Sequence, residues 1–282
     1  MSDKYAVIGN PVAHSMSPAI HAEFARATGQ DISYDRIHAP LDGFKAAALG
    51  FRDEGGMGLN ITLPFKQEAW QLADTHTPGA LAAGAVNTLK FEDGRIAGHN
   101  TDGTGLTRDL KDNLGCAIRG QRLLLMGAGG AVYGVMEPLL RELPQEVVVA
   151  NRTLEKAVAL VGHFEMLQKF ASRGVTARPY GALTGLRFDI VINATSAGLT
   201  DVMPPLPRDI FAPGALAYEM VYGRSTLFMR FAAECGARAA DGLGMLVEQA
   251  AESFVIWRGV RPATKPVIDR FRREGGGRGA EG

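Results

Sequence analysis

Five polar side chains in the first part of the chain lie close to the ends of predicted β-strands: Asn60, Thr62, Lys66, Asn87 and Asp102. Amides, hydroxyls, ammonium groups and carboxylates can bind a small molecule or move a proton. Each residue alone is more simply explained as a side chain that satisfies a loop or faces solvent. Ligands bind beyond the carboxyl ends of strands in open α/β sheets, so the five together indicate a ligand site.

The stretch GLNITLPFK, residues 58–66, shows how a strand would present such groups. Its apolar residues alternate with Asn60 and Thr62, which predicts a strand with one apolar and one polar face. Pro64 has no backbone N–H to donate and should end the strand. Lys66 follows two residues later.

Ser15 and Ser17 flank the predicted start of the first helix, in the stretch SMSPAIHAEF. Ser17 before Pro18 has the pattern of an N-cap followed by proline at the first helical position. We favour this interpretation for Ser17 alone, but it leaves Ser15 unexplained. Two hydroxyls beside a helix N-terminus could also bind a small carboxylate.

A glycine-rich turn, GAGGAVYG, lies between an apolar strand and a predicted helix, the context that a dinucleotide-binding turn requires. Gly127 and Gly129 permit a tight turn and the close approach of a pyrophosphate, which the helix N-terminus would bind. Val132 stands where a third small residue is usual, so Gly130 and Gly134 are expected to share its packing role. A purely structural glycine turn is the alternative.

The strand after this turn ends in VVVANRT and carries no acid, whereas NAD enzymes usually place an acid there to bind the ribose 2′-hydroxyl. Arg152 instead suits a 2′-phosphate, because a guanidinium makes bidentate, charge-assisted hydrogen bonds. Lys156, one helical turn further on, could add a second charge. The alternative is Thr153 as an N-cap beside surface basic residues. The pattern favours NADP over NAD.

Two runs of alternating strands and helices would position these groups. The first hundred residues predict a β-α-β-α-β run, a further helix and a hairpin with Asp93-Gly94 at its turn, which indicates an α/β domain with a mainly parallel sheet. From Arg122 onward, apolar strands typical of a doubly wound sheet follow, and a long helix is predicted near the C-terminus.

The composition indicates a globular protein and suggests no nucleic-acid or membrane partner. The 282 residues are 46% hydrophobic, and 30 basic residues balance 30 acidic ones. No apolar stretch approaches the length of a membrane span, and the first residues lack the apolar run of a signal peptide. Cys116 and Cys235 indicate free thiols in a reducing cytoplasm, and we expect no metal because no ligand cluster has suitable spacing.

The chain resembles the shikimate dehydrogenase family in eight segments that occur in order between Tyr5 and Arg258. They are SxSP at 15–18, NITLPFK at 60–66, GAVNTL at 84–89, NTDGTG at 100–105, GAGGA at 127–131, NRT at 151–153, NATSAG at 193–198 and DGLGMLVEQA at 241–250. Each motif alone is weak evidence, whereas the ordered set is highly specific.

The resemblance implies two α/β domains with a cleft between them: an N-terminal substrate domain with a mainly parallel sheet, and a Rossmann-like NADP-binding domain. It also implies that the C-terminal helix packs back on the first domain. We therefore expect a substrate-binding and catalytic domain at residues 1–102 plus 243–272, a cofactor domain at 103–242 and a flexible, glycine-rich tail at 273–282.

The activity that the resemblance implies is the reversible, NADPH-dependent reduction of 3-dehydroshikimate to shikimate, a step of aromatic amino acid biosynthesis. Lys66 and Asp102 would be the catalytic pair. The substrate-binding residues would be Ser15, Ser17, Asn60, Thr62, Asn87, Tyr222 and Gln249. The cofactor-binding residues would be Gly127, Gly129, Gly130, Ala131, Asn151, Arg152, Thr153, Thr195, Ser196, Met220 and Gly242, with Lys156 as the second charge near the adenosine phosphate.

Two departures from the family pattern concern the cofactor domain. Val132 and Tyr133 follow the glycines where the family more often has a small residue and an arginine, which leaves some phosphate contacts open. Glu219 replaces the commoner aspartate of a YDxxY pattern, a conservative change.

Three alternatives remain at this point. A quinate or quinate/shikimate dehydrogenase of broader specificity would use the same fold, although Arg152 favours NADP and hence shikimate. A non-catalytic sensor of shikimate-like ligands would not need both Lys66 and Asp102. A generic Rossmann binding module would leave the polar residues of the first domain unexplained. The sequence predicts a cytoplasmic protein and leaves open whether it is a monomer or a homodimer.

Overall fold

The computed structural model describes residues 2–167, 174–195 and 202–276, and the chain divides into two compact units. The first unit comprises Met1–Gly105 and Leu246–Gly282, and the second comprises Leu106–Met245. The chain therefore passes between the units three residues later, at both crossings, than the boundaries expected from the sequence.

The first unit contains a six-stranded sheet that is mainly parallel, as predicted. Its strands are β1 (Asp3–Gly9), β2 (Ile32–His38), β3 (Gly56–Ile61), β4 (Thr75–His76), β5 (Thr88–Glu92) and β6 (Arg95–His99). Their spatial order is β2-β1-β3-β5-β6-β4, and β5 runs antiparallel to both of its neighbours while the other pairs are parallel. The hairpin between β5 and β6 turns at Asp93 and Gly94, which both have positive φ, as a tight turn of this kind requires.

Helices lie between these strands and after the last of them. They are α1 (Ser17–Thr28), α2 (Phe44–Asp53), α3 (Lys66–Leu72), α4 (Pro78–Ala83) and α5 (Asp102–Arg108). The core of the unit includes Ile8, Leu59 and Leu89 from the sheet, together with the stacked rings of Phe44 and Phe65. The interpretation of Ser17 as an N-cap was wrong, because α1 begins at Ser17 itself and the N-cap residue is Met16, which makes no capping hydrogen bond with its side chain.

In its described ranges, the second unit contains a six-stranded sheet whose strands are all parallel. Its elements are β7 (Arg122–Met126), α6 (Gly130–Arg141), β8 (Glu146–Ala150), α7 (Leu154–Met166), β9 (Val175–Arg178), β10 (Phe188–Asn193), β11 (Phe211–Glu219), α8 (Leu227–Glu234) and β12 (Arg238–Asp241). The spatial order is β12-β11-β10-β7-β8-β9, as in a doubly wound sheet. The apolar runs 123–126 and 147–150 are buried throughout, because both faces of the central strands are covered.

Two helices end the described part of the chain, α9 (Leu243–Arg258) and α10 (Lys265–Gly276). From Leu246 onward α9 belongs to the first unit, where Trp257 stacks on Tyr5 and donates a 3.0 Å hydrogen bond to the Leu89 carbonyl. Gly58 makes this packing possible, because a Cβ there would lie 2.4 Å from the indole nitrogen. This contact fixes α9 against β3 and β5.

The start of the expected flexible tail was placed too early, because α10 continues through Gly276. Arg270 and Glu274 form an ion pair one turn apart on this helix, at 2.8 Å, which favours the helical conformation at that point. Residues 277–282 lie outside the described residues. Within the described ranges, no helix is long and apolar enough to cross a membrane.

Candidate active site

The centre of the candidate site is an ion pair between Lys66 and Asp102 in the first unit. Lys66 is the first residue of α3, shortly after β3, and Asp102 is the first residue of α5, shortly after β6. Lys66 Nζ lies 2.5 Å from Asp102 Oδ2, with side chains 28% and 12% exposed. An ammonium group has three donors, so the ion pair leaves Lys66 able to donate to a ligand as well.

The carboxylate of Asp102 is oriented by a second contact. Asn87 Nδ2 donates a 2.8 Å hydrogen bond to its Oδ1, so each carboxylate oxygen has a defined partner. The backbone N–H of Asp102 donates to the Asn100 side chain at 3.1 Å, which fixes the start of α5. The charge pair therefore has one well-defined arrangement.

Asn87 is buried, and the protein already uses its hydrogen-bonding capacity. Its oxygen accepts from the Thr101 N–H at 2.9 Å and from the Thr88 hydroxyl at 3.0 Å. Its amide donates to the Thr101 hydroxyl as well as to Asp102, and Gln249 Oε1 lies at 3.5 Å. A substrate hydroxyl would have to replace one of these partners, and the long contact to Gln249 is the easiest to exchange.

Asn60 is also buried and belongs to a neighbouring polar network. Its amide donates to Ser253 Oγ at 2.9 Å and to Thr88 Oγ1 at 3.1 Å, while its oxygen accepts from the Tyr34 hydroxyl at 2.7 Å. An amide oxygen can accept two hydrogen bonds, so Asn60 Oδ1 can still accept one from a ligand.

Ser15 and Ser17 lie side by side at the start of α1. The Ser15 hydroxyl donates to Ser17 Oγ at 3.2 Å, and the Ser17 N–H donates to Ser15 Oγ at 3.3 Å. The guanidinium of Arg36 holds this segment by donating to the Ser15 carbonyl at 2.6 Å. Two hydroxyls beside the first N–H groups of a helix form a suitable contact for a carboxylate.

Thr62 and Gln249 complete the expected substrate residues of the first unit. Thr62 lies one residue beyond β3, and its methyl group packs where a side chain at Gly9 would be, 2.3 Å from the position of a Cβ. Gln249 on α9 donates to the Leu246 carbonyl at 2.8 Å and faces Asn87 through its oxygen. Tyr222, the remaining expected residue, belongs to the second unit and is half-buried, and burial raises its pKa.

Two ring groups beside these residues have shifted pKa values, the half-buried Tyr34 and the fully buried His21. Burial raises the pKa of Tyr34 well above its ordinary value, although the neighbouring Ser17 hydroxyl and Arg36 act in the opposite direction. Burial also lowers the pKa of His21 to about 3, so its imidazole is neutral near pH 7. The polar network therefore has no additional charge from either ring.

The glycine turn of the second unit joins β7 to α6, as the sequence predicted. Gly127 has φ of +110°, a conformation that side chains disfavour, and it packs against the backbone of Ala194. Among the described residues, a Cβ at Gly129 or Gly130 would meet no atom within 4 Å apart from the neighbouring backbone. Packing among the described residues therefore does not explain these two glycines, and the space beside them at the helix N-terminus is of the kind that a pyrophosphate can approach.

The basic residues after β8 lie at the surface. Arg152 and Lys156 are exposed, and neither forms an ion pair with another residue in the described ranges. Thr153 stands at the N-cap of α7 without a capping hydrogen bond from its side chain, and Asn151 Nδ2 donates to its carbonyl at 2.8 Å. The exposed cations can therefore bind a phosphate.

The remaining residues that were expected to bind the cofactor follow the ends of β10, β11 and β12. Thr195 donates to Asn193 Oδ1 at 2.7 Å, and Asn193 donates to the buried carboxylate of Glu219 at 2.8 Å. Met220 follows Glu219, and a Cβ at Gly242 would lie 2.2 Å from the Met220 carbonyl oxygen. Burial raises the pKa of Glu219. Ser196 lies outside the described residues.

Packing explains why Val132 and Tyr133, at the glycine turn, depart from the family pattern. Val132 is completely buried in the core of the second unit. Tyr133 packs its ring edge-on against His163, with 5.4 Å between the centroids, and lies beside Phe164. Both side chains therefore join α6 to the rest of the unit.

Sequence reasoning missed several residues that support the site. Ser253 lies one helical turn after Gln249 on the same face of α9, so helical spacing could have indicated it. Thr101 and Asn193 both lie within recognised motifs, whereas Tyr34 had no signal of its own, because its role depends on contacts between separate elements. In the described ranges, no group of three or more His, Cys, Asp or Glu could hold a metal ion.

Family models match three stretches of the chain. The model of the shikimate dehydrogenase substrate binding domain matches residues 7–89, that of shikimate / quinate 5-dehydrogenase matches residues 109–202, and that of the shikimate 5′-dehydrogenase C-terminal domain matches residues 242–270. The three stretches include the ion pair's lysine, the glycine turn and Gln249.

Full-length relatives and solved structures agree with these matches. A shikimate dehydrogenase (NADP(+)) of Alkalilimnicola ehrlichii is 57% identical over 277 residues, which cover 97% of this chain and 100% of that protein. The structure of an Ael1 enzyme from Pseudomonas putida matches with a TM-score of 0.90 at 52% identity, covering 95% of this chain and 98% of that one. The Thermus thermophilus shikimate 5-dehydrogenase in complex with NADP(H) and shikimate matches with a TM-score of 0.84 at 34% identity, covering 96% and 99%.

Proposed function

The chain belongs to the shikimate dehydrogenase family, and we propose that it catalyses the reversible, NADPH-dependent reduction of 3-dehydroshikimate to shikimate. The observation that carries this proposal is the 2.5 Å ion pair of Lys66 and Asp102, whose carboxylate is held on its other oxygen by Asn87. A pair of this kind can manage the proton that accompanies hydride transfer to a ketone.

Lys66 acts at the carbonyl that becomes the hydroxyl. When NADPH is bound, it supplies the hydride, and the carbonyl oxygen acquires negative charge. The Lys66 ammonium stabilises this alkoxide through its charge and a hydrogen bond, because two of its donors are not used by Asp102. Asp102 orients the ammonium and accepts a hydrogen bond from the product hydroxyl. In the reductive direction the pair returns a proton to the alkoxide, and in the oxidative direction it takes up the proton of the substrate hydroxyl.

The remaining substrate groups are bound by neutral side chains. Ser15 and Ser17 bind the carboxylate, with Tyr222 of the second unit as a further hydroxyl. Asn60 accepts from a ring hydroxyl through the free position on its oxygen. The other ring contacts come from Thr62, Asn87 and Gln249. Oriented binding of this kind positions the reacting carbon without adding charge.

The second unit holds the cofactor through its glycine turn and the basic residues after β8. The open space at Gly129 and Gly130 and the N-terminus of α6 fit a pyrophosphate, together with Gly127 and Ala131. Arg152 and Lys156 bind the 2′-phosphate, beside Asn151 and Thr153. The residues assigned to the rest of the cofactor are Thr195, Ser196, Met220 and Gly242.

Quinate is the alternative substrate, because one of the matching family models covers shikimate / quinate 5-dehydrogenases. Quinate has one more ring hydroxyl than shikimate and lacks its double bond, so the shape and hydrogen-bonding capacity of the pocket decide between them. Asn60 and Asn87 are already engaged with protein partners, which leaves few acceptors for an additional hydroxyl. This favours shikimate.

Initial rates with shikimate or quinate, each with NADP or NAD, test the proposal. We expect the highest kcat/KM with shikimate and NADP. Dominant activity with quinate would retain the catalytic pair and change the substrate, and dominant activity with NAD would contradict the role of Arg152. If the protein binds shikimate but shows no turnover in any mixture, it is a sensor of shikimate and not an enzyme.

The cellular location and the oligomeric state of the protein stay predictions. The free thiols Cys116 and Cys235 are consistent with a reducing cytoplasm, where we expect the protein. Whether it is a monomer or a homodimer is decided by light scattering coupled to size exclusion.

A further inference from the structure

The hydroxyl of Tyr34, on β2, contacts two residues that are assigned to different groups of the substrate. It donates a 2.7 Å hydrogen bond to Asn60 Oδ1, and the Ser17 side chain interacts with the same phenol group. Ser17 in turn accepts from the Ser15 hydroxyl at 3.2 Å. Tyr34 therefore touches both the proposed carboxylate site and an amide that is proposed to bind a ring hydroxyl.

From Asn60 the hydrogen bonds continue towards the ion pair. The Asn60 amide donates to Thr88 Oγ1, and the Thr88 hydroxyl donates to Asn87 Oδ1 at 3.0 Å. Asn87 then donates to Asp102. Hydrogen bonds thus join Tyr34 to the charge pair, and within the described ranges its interaction with Ser17 is the one that extends this path to the serines.

Packing holds the Tyr34 ring in a single orientation. The ring stacks on the fully buried imidazole of His21, with 4.2 Å between the centroids and 7° between the planes, and Trp257 lies on another side at 6.3 Å. His21 lies one helical turn after Ser17 on α1, so the stack also fixes that helix start relative to β2. A ring held in this way directs its hydroxyl without losing side-chain entropy when a substrate binds.

We propose that Tyr34 is a positioning residue for the substrate, because its hydroxyl holds Ser17 and Asn60 in register for the carboxylate and a ring hydroxyl of one molecule. This inference rests on the proposed function and adds to it a residue that need not touch the substrate. A substrate that carries both groups should bind more tightly because of this register, whereas binding of the cofactor should not depend on it.

The substitution Tyr34→Phe removes the hydroxyl and keeps the stacked ring. Asn60 Oδ1 then loses the hydrogen bond from Tyr34 and Ser17 loses one of its two contacts, so both side chains are held less firmly. We expect KM for shikimate to rise by about tenfold or more, kcat to fall less, and KM for NADP to stay within about twofold of the wild-type value.

Tyr5→Phe is the matched control. Tyr5 lies opposite Tyr34 in the register of β1 and β2, is buried, and stacks on the same Trp257 with 4.6 Å between the centroids. Its hydroxyl interacts with Arg258 at 3.3 Å and contacts none of the site residues. Both variants should lose thermal stability, but only Tyr34→Phe should change KM for shikimate.

A wild-type KM for shikimate in Tyr34→Phe would overturn the inference, and so would equal changes in both variants. If the wild-type protein lacks dehydrogenase activity, the proposed function fails, and calorimetric titration of shikimate into the same three proteins decides this inference. A weaker Kd for Tyr34→Phe alone supports it. Equal Kd values in the three proteins, or no binding to the wild type, overturn it.

A double-mutant cycle tests whether Tyr34 acts through Asn60. If it does, the change in KM for shikimate in Tyr34→Phe/Asn60→Ala should be close to that of the larger single variant, because the second change removes an interaction already lost. If the two fold-changes multiply, the residues act independently and the positioning role is wrong.

Discussion

Asn87 donates a 2.8 Å hydrogen bond to the Asp102 carboxylate, on the oxygen that does not face Lys66. The Asn87 amide is itself fixed, because its oxygen accepts from the backbone of Thr101 at 2.9 Å. The carboxylate cannot rotate without breaking one of its two contacts. The direction in which the lysine presents its remaining donors is therefore set by an uncharged, buried side chain.

Replacing the lysine should remove turnover and leave binding. Lys66→Met keeps much of the side-chain volume but no charge, so nothing stabilises the alkoxide. We expect kcat to fall by about 10² to 10⁴, while calorimetry still detects shikimate. Lys90→Met is the control, because Lys90 has a similarly exposed side chain, 27% against 28%, and its ion pair with Glu92 lies outside the site. More than a tenth of wild-type kcat in Lys66→Met would contradict the catalytic role.

Arg152 should decide the choice between NADP and NAD. In Arg152→Ala the 2′-phosphate loses charge-assisted hydrogen bonds, whose loss costs about 1.5–3 kcal/mol, so KM for NADP should rise by about 10- to 100-fold. KM for NAD should change little, because NAD lacks that phosphate. Arg208→Ala, an exposed arginine of the same unit with a 3.8 Å contact to Glu234, should leave both values unchanged. Equal effects of Arg152→Ala on the two cofactors would exclude the phosphate contact.

Gly58 should be intolerant of a side chain for packing reasons alone. The Cβ of Gly58→Ala would lie 2.4 Å from the Trp257 indole nitrogen and 2.7 Å from the Leu89 carbonyl oxygen. These two atoms form a hydrogen bond with each other, which the new Cβ would disrupt. We expect a loss of about 1–3 kcal/mol in the free energy of unfolding. Gly50→Ala on α2, where a Cβ meets nothing, should instead be neutral or stabilising by about 1 kcal/mol. Urea denaturation of the two variants separates these outcomes.

Much of the fold could be predicted because its signals are local. Alternation identified β3, and the dipeptide Asp93-Gly94 identified the hairpin turn. The glycine turn was recognised from its position between an apolar strand and a helix. The boundaries were less accurate, since β3 ends at Ile61 rather than beyond Thr62, and α10 extends to Gly276. These limits depend on which backbone groups find partners, and short sequence patterns do not specify that.

The interior of the site was harder to predict because it depends on long-range contacts. Asn60 and Ser253 are separated by 193 positions and meet only because α9 packs on the sheet of the first unit. Tyr34 reaches Asn60 across β1, the strand that lies between β2 and β3. Ser17 shows the opposite error, because a strong local pattern indicated a cap that the helix does not use. Its hydroxyl is engaged with Ser15 and Tyr34 instead.

His21 should make the stability of the protein depend on pH in acid. Burial lowers its pKa to about 3 in the folded protein, whereas an unfolded histidine titrates near pH 6.5. Between these values the unfolded chain binds a proton that the folded chain does not, so the free energy of unfolding falls as the pH is lowered from about 6.5 towards 3. The contribution of His21 should reach about 1.4 kcal/mol per pH unit in this window and vanish above it.

Comparison with His21→Phe isolates this contribution. Phenylalanine can retain the stack on Tyr34 but binds no proton, and every other titrating group is common to both proteins. The wild-type protein should therefore lose stability relative to the variant when urea denaturation is repeated at pH 7, 6 and 5. A constant difference between the two proteins across these values would mean that His21 is protonated in the folded state as readily as in the unfolded chain. The description of His21 as a neutral imidazole stacked on Tyr34 would then be wrong.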